Sequence, residues 1–413
     1  MHTPVPRLPV RNPRGSPYTE EVAGDDFGHP PANAGVTPWH ILTSEYPPDV
    51  GGVSDYTWQV AEALARDGEE VHVWCPRPAP ERRASDVRIH SVLGDIHPSD
   101  LRRVGDLLDD YPAPRRLLVQ WVPHGFGYHS MNVWFCLWLL RRSMSGDLVE
   151  LMVHEAYSDF RRGPLRHVVM ACVQRFMTVL LLLTASRVWI ATPSWERRLR
   201  AYALGRNVSI TWLPVPGCVP SDPGALSEVV RRRYAAEGTI LIGHFGSFGR
   251  DVTSLLEAWL PGVMTHVARP SLLLIGASSD AYRDRLLERY PKWGTRIHAA
   301  GFVPASLLAE HIAACDIFVQ PYPDGITARR TTTMACLSQG RPVVTTEGAS
   351  TESFWANTDA VVLAGVSDPD GCVAAVAGLM EDPRRRQTLG ARGRSLYLRT
   401  FEVSHVIGAL KAA

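Results

Sequence analysis

The pair His154-Glu155 follows directly on the apolar run Leu148–Val153. If that run is a strand, the pair stands at its C-terminal end. There an imidazole can give a hydrogen bond or a proton to a sugar or phosphate oxygen. A histidine satisfied by packing is the plain alternative. Gly51-Gly52, after the run Trp39–Thr43, lets backbone amides approach an anion at the start of a helix. Glycine also serves turns for steric reasons alone, so this signal is weak. His124, in Gln120-Trp121-Val122-Pro123-His124-Gly125, again follows a strand-like run and reads as part of an acceptor loop. Gly51, Gly52, His124 and Glu155 are the candidates for the phosphate or acceptor side.

The second half of the chain offers two further turns. Gly246-Ser247-Phe248-Gly249-Arg250 can present amides, a hydroxyl and a guanidinium to a diphosphate. The stretch Asp324-Gly325-Ile326-Thr327-Ala328-Arg329-Arg330-Thr331-Thr332 leads into a helix. It places an acid, two adjacent arginines and threonines at the helix start, a suitable place for a di-anion. A solvated arginine pair with a threonine cap is the alternative.

The elements that must position these residues alternate regularly. Trp39–Thr43 reads as a strand, Val53–Asp67 as a helix with apolar residues at helical spacing, Gly68 as its stop and Glu70–Trp74 as the next strand. Leu117–Gln120, Leu148–Val153, Arg187–Ala191 and Ser209–Leu213 continue the series, and the Pro-rich run Pro214–Pro220 interrupts it. The pattern resumes with Thr239–Gly246, Ser271–Gly276, Ile297–Gly301, Ile317–Gln320 and Val343–Thr345, with helices Ser306–Ala314 and Ala374–Met380 among them. Strand, glycine turn, helix and strand in sequence imply parallel sheets with right-handed crossovers. The fold class is therefore α/β, with two Rossmann-like domains facing a central cleft. The expected boundaries are a disordered leader over 1–35, domains over 36–213 and 221–395, a linker over 214–220, and a C-terminal segment over 396–413.

Composition narrows the function. The 413 residues carry 43 basic and 42 acidic side chains, so no global positive field gathers nucleic acid. Lys292 and Lys411 are the only lysines, so an anion site must use arginine, helix ends or backbone amides. Seven scattered cysteines without a C-x-x-C pair argue against a disulfide framework or a structural zinc site, and fit a reducing cytoplasm. The leader has no apolar core of a signal peptide. Phe176–Ala185 is about ten residues of apolar sequence, half of what a membrane span needs, and reads as a buried helix. The stretch Val133–Trp138 leaves open peripheral membrane contact, and the aromatic region Trp121–Trp138 suggests an apolar acceptor face.

These features resemble the GT-B glycosyltransferases, specifically family 4 (group 1). The resemblance rests on Glu45–Val53, Leu64–Val73, the Val153-His154-Glu155 step and the region Pro321–Thr346, and spans about residues 37–405. It implies transfer of a sugar from a nucleotide-diphosphate-sugar co-substrate to an acceptor hydroxyl, with retention and without an obligatory metal or other cofactor. The N-terminal domain would take the acceptor, and the C-terminal domain the donor. A helix within Tyr397–Ala413 would cross back to the first domain. His154 would face the reacting centre. Gly246, Ser247, Arg250, Asp324, Gly325, Arg329, Arg330, Thr331 and Thr332 would form the donor side.

The chain departs from the family in one motif, a pair of glutamates eight positions apart. Matched without gaps, Asp324 takes the first place and Thr332 the second; anchored on Gly340–Val344, the places fall on Thr327 and Ala335. The second glutamate, which meets the donor ribose in the family, is absent either way. A degenerate protein that binds a sugar nucleotide or a partner without turnover is the alternative. A phosphorylase would need a lysine for pyridoxal phosphate, and a dinucleotide oxidoreductase a G-x-G-x-x-G after the first strand, which this chain lacks. The motifs specify neither the nucleotide, the sugar, the acceptor nor the oligomeric state.

Overall fold

In a computed structural model, residues 37–49, 51–77, 86–160, 165–219 and 225–412 are described. The expected leader, Val50 and the last residue of the Pro-rich linker lie outside them. Among the described residues the first sheet contains seven strands: β1 (Trp39–Thr43), β2 (Val71–Trp74), β3 (Val87–His90), β4 (Arg116–Trp121), β5 (Leu148–Val153), β6 (Arg187–Ile190) and β7 (Ser209–Trp212). The second contains six: β8 (Leu241–Phe245), β9 (Ser271–Ile275), β10 (Ile297–Gly301), β11 (Ile317–Gln320), β12 (Val343–Glu347) and β13 (Val362–Gly365).

Their orders are β3-β2-β1-β4-β5-β6-β7 and β10-β9-β8-β11-β12-β13, parallel at every pairing. Each sheet is doubly wound, with the direction of winding reversing between β1 and β4 and between β8 and β11. Strands buried on both faces have no polar alternation, which is why β1, β4, β5, β9 and β11 read as near-continuous apolar runs. The edge strands β3 and β13 carry half-exposed positions; β3 alternates with polar residues and leaves no such run, whereas β13 lies in the apolar run Ala360–Ala364 that the sequence reading overlooked.

Helices cover the sheets. Gly52–Arg66 buries Val53, Tyr56, Val60, Ala61 and Leu64, matching the expected spacing. All but the last residue of the apolar decade Phe176–Ala185 belong to a longer helix, Leu165–Thr184, which is long and apolar enough to cross a membrane by length and composition. Part of the aromatic region Trp121–Trp138 is core, while Trp134 is exposed. Trp121, Phe126 and Phe135 are buried and stack on one another, the last two with centroids 4.3 Å apart.

The last helix, Val403–Lys411, packs on the first domain. Val406, Ile407 and Leu410 share a core with Tyr56 and Val60, each contributing about 1.5–3 kcal/mol if fully buried. Arg116 donates to the Leu410 carbonyl at 2.6 Å, and Lys411 pairs with Glu69 at 2.9 Å. Tyr397 lies in the preceding helix, Pro383–Thr400, and is buried in the core of the second domain.

Candidate active site

In doubly wound sheets, ligands sit beyond the strand C-termini where the winding reverses. The first domain places there the loop after β1, the loop after β4 and the His154-Glu155 step after β5. A cavity of about 920 Å³ opens between them, lined by Glu45, Gly52, His124, His154 and Glu155, and by Arg329 and Thr331 from the second domain. Gly51 plays a different part from Gly52. A Cβ there would collide with the Glu45 carboxylate, so the glycine makes room for an acid. Asp55 adds a second carboxylate to the first turn of the following helix. Burial, and then Asp49 and Asp55, push the Glu45 carboxyl above its usual range. An anion is therefore opposed at this helix start, where Gly51 makes room for a carboxylate of the chain itself.

His154 is buried. Its Nε2 lies 2.8 Å from Gln120 Oε1, so that nitrogen carries the proton, and its ring stands edge-on to Tyr56. Burial, helped by the Arg329 charge, lowers its pKa to about 3. The imidazole is neutral at neutral pH, which narrows its expected role from proton donor to hydrogen-bonding group. His124 is exposed at the cavity rim, with Nδ1 2.7 Å from Ser130 Oγ.

The second domain forms a smaller cavity of about 270 Å³, lined by Gly246, Ser247, Gln320, Tyr322, Arg330, Thr331 and Thr332. Gly246 has φ +150°, and a Cβ added to it would sit 3.6 Å from the Thr332 methyl. The turn after β8 therefore faces the start of the helix Thr331–Ser338 at close range. Thr332 Oγ1 lies 2.9 Å from the Tyr322 hydroxyl, which also reaches Thr333 Oγ1 at 2.7 Å. Three neutral hydroxyls thus gather at the start of this helix. The Arg330 guanidinium lies 4.4 Å from the Tyr322 ring centroid and pairs with Asp324.

Arg329 and Thr331 line both cavities, and Arg329 pairs across the domains with Glu155 at 3.1 Å. Three expected donor residues stand elsewhere. Arg250, the first residue of the helix Arg250–Met264, is exposed and lines neither cavity. Asp324 lines neither and instead holds Arg330. Gly325 is buried at φ +90°, where a Cβ would strike Thr351 and the Gly348 backbone. Its conformation is a packing requirement.

Sequence reasoning overlooked Gln120, the next-to-last residue of β4, and Gln320, the last residue of β11, although each is a polar residue at the C-terminal part of a largely apolar strand. Gln120 holds His154, and Gln320 donates to the Phe245 carbonyl at 2.8 Å, fixing the turn into Gly246. It also overlooked Glu352, a buried carboxylate whose pKa is raised by burial. It accepts from Thr192 of the first domain, from the Ala328 amide at 3.1 Å and from Trp355 Nε1 at 3.0 Å. Glu352 thereby ties the strand end after β6 to the arginine loop. No motif around it signals that role.

Two facing doubly wound domains, with cavities at both switch points that share an arginine, define a GT-B glycosyltransferase architecture. A family model described as "Glycosyl transferase 4-like domain" matches residues 51–216, and one described as "Glycosyl transferases group 1" matches residues 239–382. The chain belongs to the group 1 glycosyltransferases. It is 23% identical over 349 residues to a phosphatidyl-myo-inositol mannosyltransferase of Mycolicibacterium smegmatis, covering 83% of this chain and 84% of that one. Solved structures with the same fold include sucrose-phosphate synthase from Thermosynechococcus elongatus (TM-score 0.70, 16% identity, 91% of this chain and 98% of that one). HepE of Anabaena in complex with UDP is another (TM-score 0.64, 14% identity, 91% and 99%).

Proposed function

We propose that this glycosyltransferase uses a nucleoside diphosphate sugar held in the smaller cavity and transfers the sugar to a hydroxyl of an acceptor in the larger one. The observation that carries this is the shared position of Arg329 and Thr331 at the junction of the two cavities. A diphosphate seated against Gly246, Ser247 and the amides at Thr331-Thr332 would put its sugar end at that junction. Fold relatives solved with UDP and UDP-glucose support the donor class.

As the bond between the anomeric carbon and the phosphate oxygen breaks, its electron pair leaves with the diphosphate. Arg329, Arg330 and the helix amides stabilise the added charge, the role a metal ion would otherwise take. The acceptor oxygen attacks from the face the phosphate leaves, and its proton passes to a phosphate oxygen, so configuration is retained. Glu155, the carboxylate at the junction, is engaged by Arg329, which favours this route over an enzymic nucleophile. Neutral His154 offers hydrogen bonds to sugar hydroxyls. We place the protein in the cytoplasm, and its seven free cysteines support a reducing compartment.

The test is a thermal-shift screen with UDP, GDP, ADP and dTDP on the wild type and on Arg329→Ala and Arg330→Ala, followed by turnover of the matching sugar nucleotides. One nucleotide that raises Tm in the wild type alone, with its sugar consumed only when acceptor is present, supports the proposal. No shift with any nucleotide refutes it.

A further inference from the structure

The long helix Leu165–Thr184 is inverted relative to an ordinary surface helix. Its inward face buries Gln174, Thr178 and Thr184 beside Met177 and Leu181. Its outward face carries Leu165, Val168, Val169, Cys172 and Phe176, at the three- and four-residue steps of one helical stripe, and Leu183 two turns further on. Leu165 is 76% exposed and Phe176 53%. The buried polar groups are satisfied: Gln174 donates to the Ser130 carbonyl, and Thr178 and Thr184 each donate to a carbonyl one turn back. The polar-in, apolar-out arrangement is therefore complete on the inside and uncovered on the outside.

The neighbouring helix Val133–Met144 extends the same surface. Gln174 meets Ser130 just ahead of it, and Ser143 donates to the Thr184 carbonyl at its far end, so the two helices run side by side in one direction. Trp134, 57% exposed, and Leu137 stand on its outer side. Neither helix contains an aspartate or a glutamate, while Arg141 and Arg166 are exposed on them. A broad apolar surface with only positive charge, and with tryptophan and arginine to anchor it, matches the interfacial region of an anionic bilayer. The inner face of the long helix packs into the first domain's core, so the helix lies along a membrane rather than through it.

We infer that the outer face of Leu165–Thr184, extended by Trp134 and Leu137, docks the protein onto an anionic lipid bilayer. The placement suits the chemistry. A cavity of about 430 Å³ runs from His124, Glu155 and Arg329 at the candidate active site to His167 and Met170 near the start of this helix, so the site opens beside the docked surface.

The experiment is co-sedimentation of the full chain with vesicles of phosphatidylcholine alone and of phosphatidylcholine mixed with phosphatidylglycerol, at low and high salt. Tighter binding to the mixed vesicles, weakened by salt, is the expected result. Val169→Glu with Phe176→Glu should lower binding about tenfold or more, because two exposed apolar contacts become charged. Arg166→Ala should lower binding about fivefold on the anionic vesicles and leave phosphatidylcholine binding unchanged. An unchanged thermal midpoint and nucleotide response in each variant would show that the fold and the transferase site are intact, so the two proposals fail separately. The inference is overturned if the wild type stays in solution with both vesicle types, or if the double variant binds as well as the wild type. It is also overturned if light scattering shows a wild-type dimer that the double variant splits, which would make a second copy the occupant of this face.

Discussion

Arg329 either holds the leaving diphosphate or merely ties the two domains together through Glu155, and the two roles have different energetic signatures. The Arg329 and Glu155 side chains are 28% and 42% exposed, so their pair is worth at most about 1 kcal/mol of stability. Arg329→Ala should therefore move the unfolding free energy by less than about 1 kcal/mol. Hydrogen bonds from a guanidinium to phosphate are worth about 1.5–3 kcal/mol, because both partners are charged. The same substitution should then weaken nucleotide binding by roughly ten- to a hundredfold. Turnover should fall by about a further factor of a hundred, since the charge to be stabilised grows in the transition state. Glu155→Gln separates the readings. It removes the same ion pair but frees the guanidinium, so nucleotide affinity should hold or rise. The assay is calorimetric titration of the nucleotide found by screening into the wild type, both single variants and the double variant. If Glu155→Gln weakens nucleotide binding as much as Arg329→Ala, and the double variant adds nothing, Arg329 acts only as an interdomain tie and the diphosphate assignment is wrong.

Thr332→Glu introduces an acidic partner where neutral hydroxyls now stand, and should tighten nucleotide binding about fivefold, the difference between a charged and a neutral hydrogen bond; titration of the same nucleotide checks it. Gly325→Ala forces a side chain into a φ of +90° against Gly348 and Thr351, and should cost about 1–3 kcal/mol in chemical denaturation while leaving nucleotide affinity of the folded protein unchanged. Beneath the first sheet, His40, His72 and His90 pack together with Trp74 and Tyr111. Burial lowers the pKa of His40 to about 2 and that of His90 to about 4, and it also lowers that of His72. Each binds a proton in the unfolded chain near pH 6.5 but not in the folded one, so their contribution is full above that pH and falls as acid is added. Between about pH 6 and 4 the unfolding free energy should drop by about 3 kcal/mol per pH unit from two such protons, and denaturant titrations across that range measure the slope. His154, with a pKa of about 3, should leave no inflection near neutrality in a pH profile of turnover, whereas His154→Ala should lower turnover itself.

The limits of sequence legibility follow from what each residue answers to. β1, β4, β9 and β11 announce themselves because both faces of a central parallel strand meet protein, which demands an unbroken apolar run. His154 is also legible, since a polar residue ending such a run must stand at the sheet edge where ligands collect. Arg250 misled for a related reason. A basic residue opening a helix after a glycine turn satisfies the local pattern, but its side chain stays out in solvent, and only the path of the turn decides that. Gly51 and Gly325 show the same ambiguity: glycine signals close approach without saying what approaches, and here it is a carboxylate in one case and a threonine hydroxyl with backbone in the other.

The junction itself is least legible, because it is a property of two domains at once. Glu155 follows β5 and Arg329 follows β11, 174 residues later, and no local spacing links them. Glu352 and Thr192 likewise stand 160 residues apart, and the buried Glu352 carboxylate also binds the Ala328 amide, one residue before Arg329. The position of the arginine that serves both cavities thus depends on a carboxylate anchored in the other domain. A movement that separates the domains must break the Glu352–Thr192 contact and release the Arg329–Glu155 pair together. Glu352→Gln keeps the shape of that anchor and removes its charge. It should therefore leave the unfolding midpoint nearly unchanged while weakening nucleotide binding several-fold through Arg329. An equal loss in the Arg329→Ala background would show instead that Glu352 acts on the donor side by a route that bypasses the arginine.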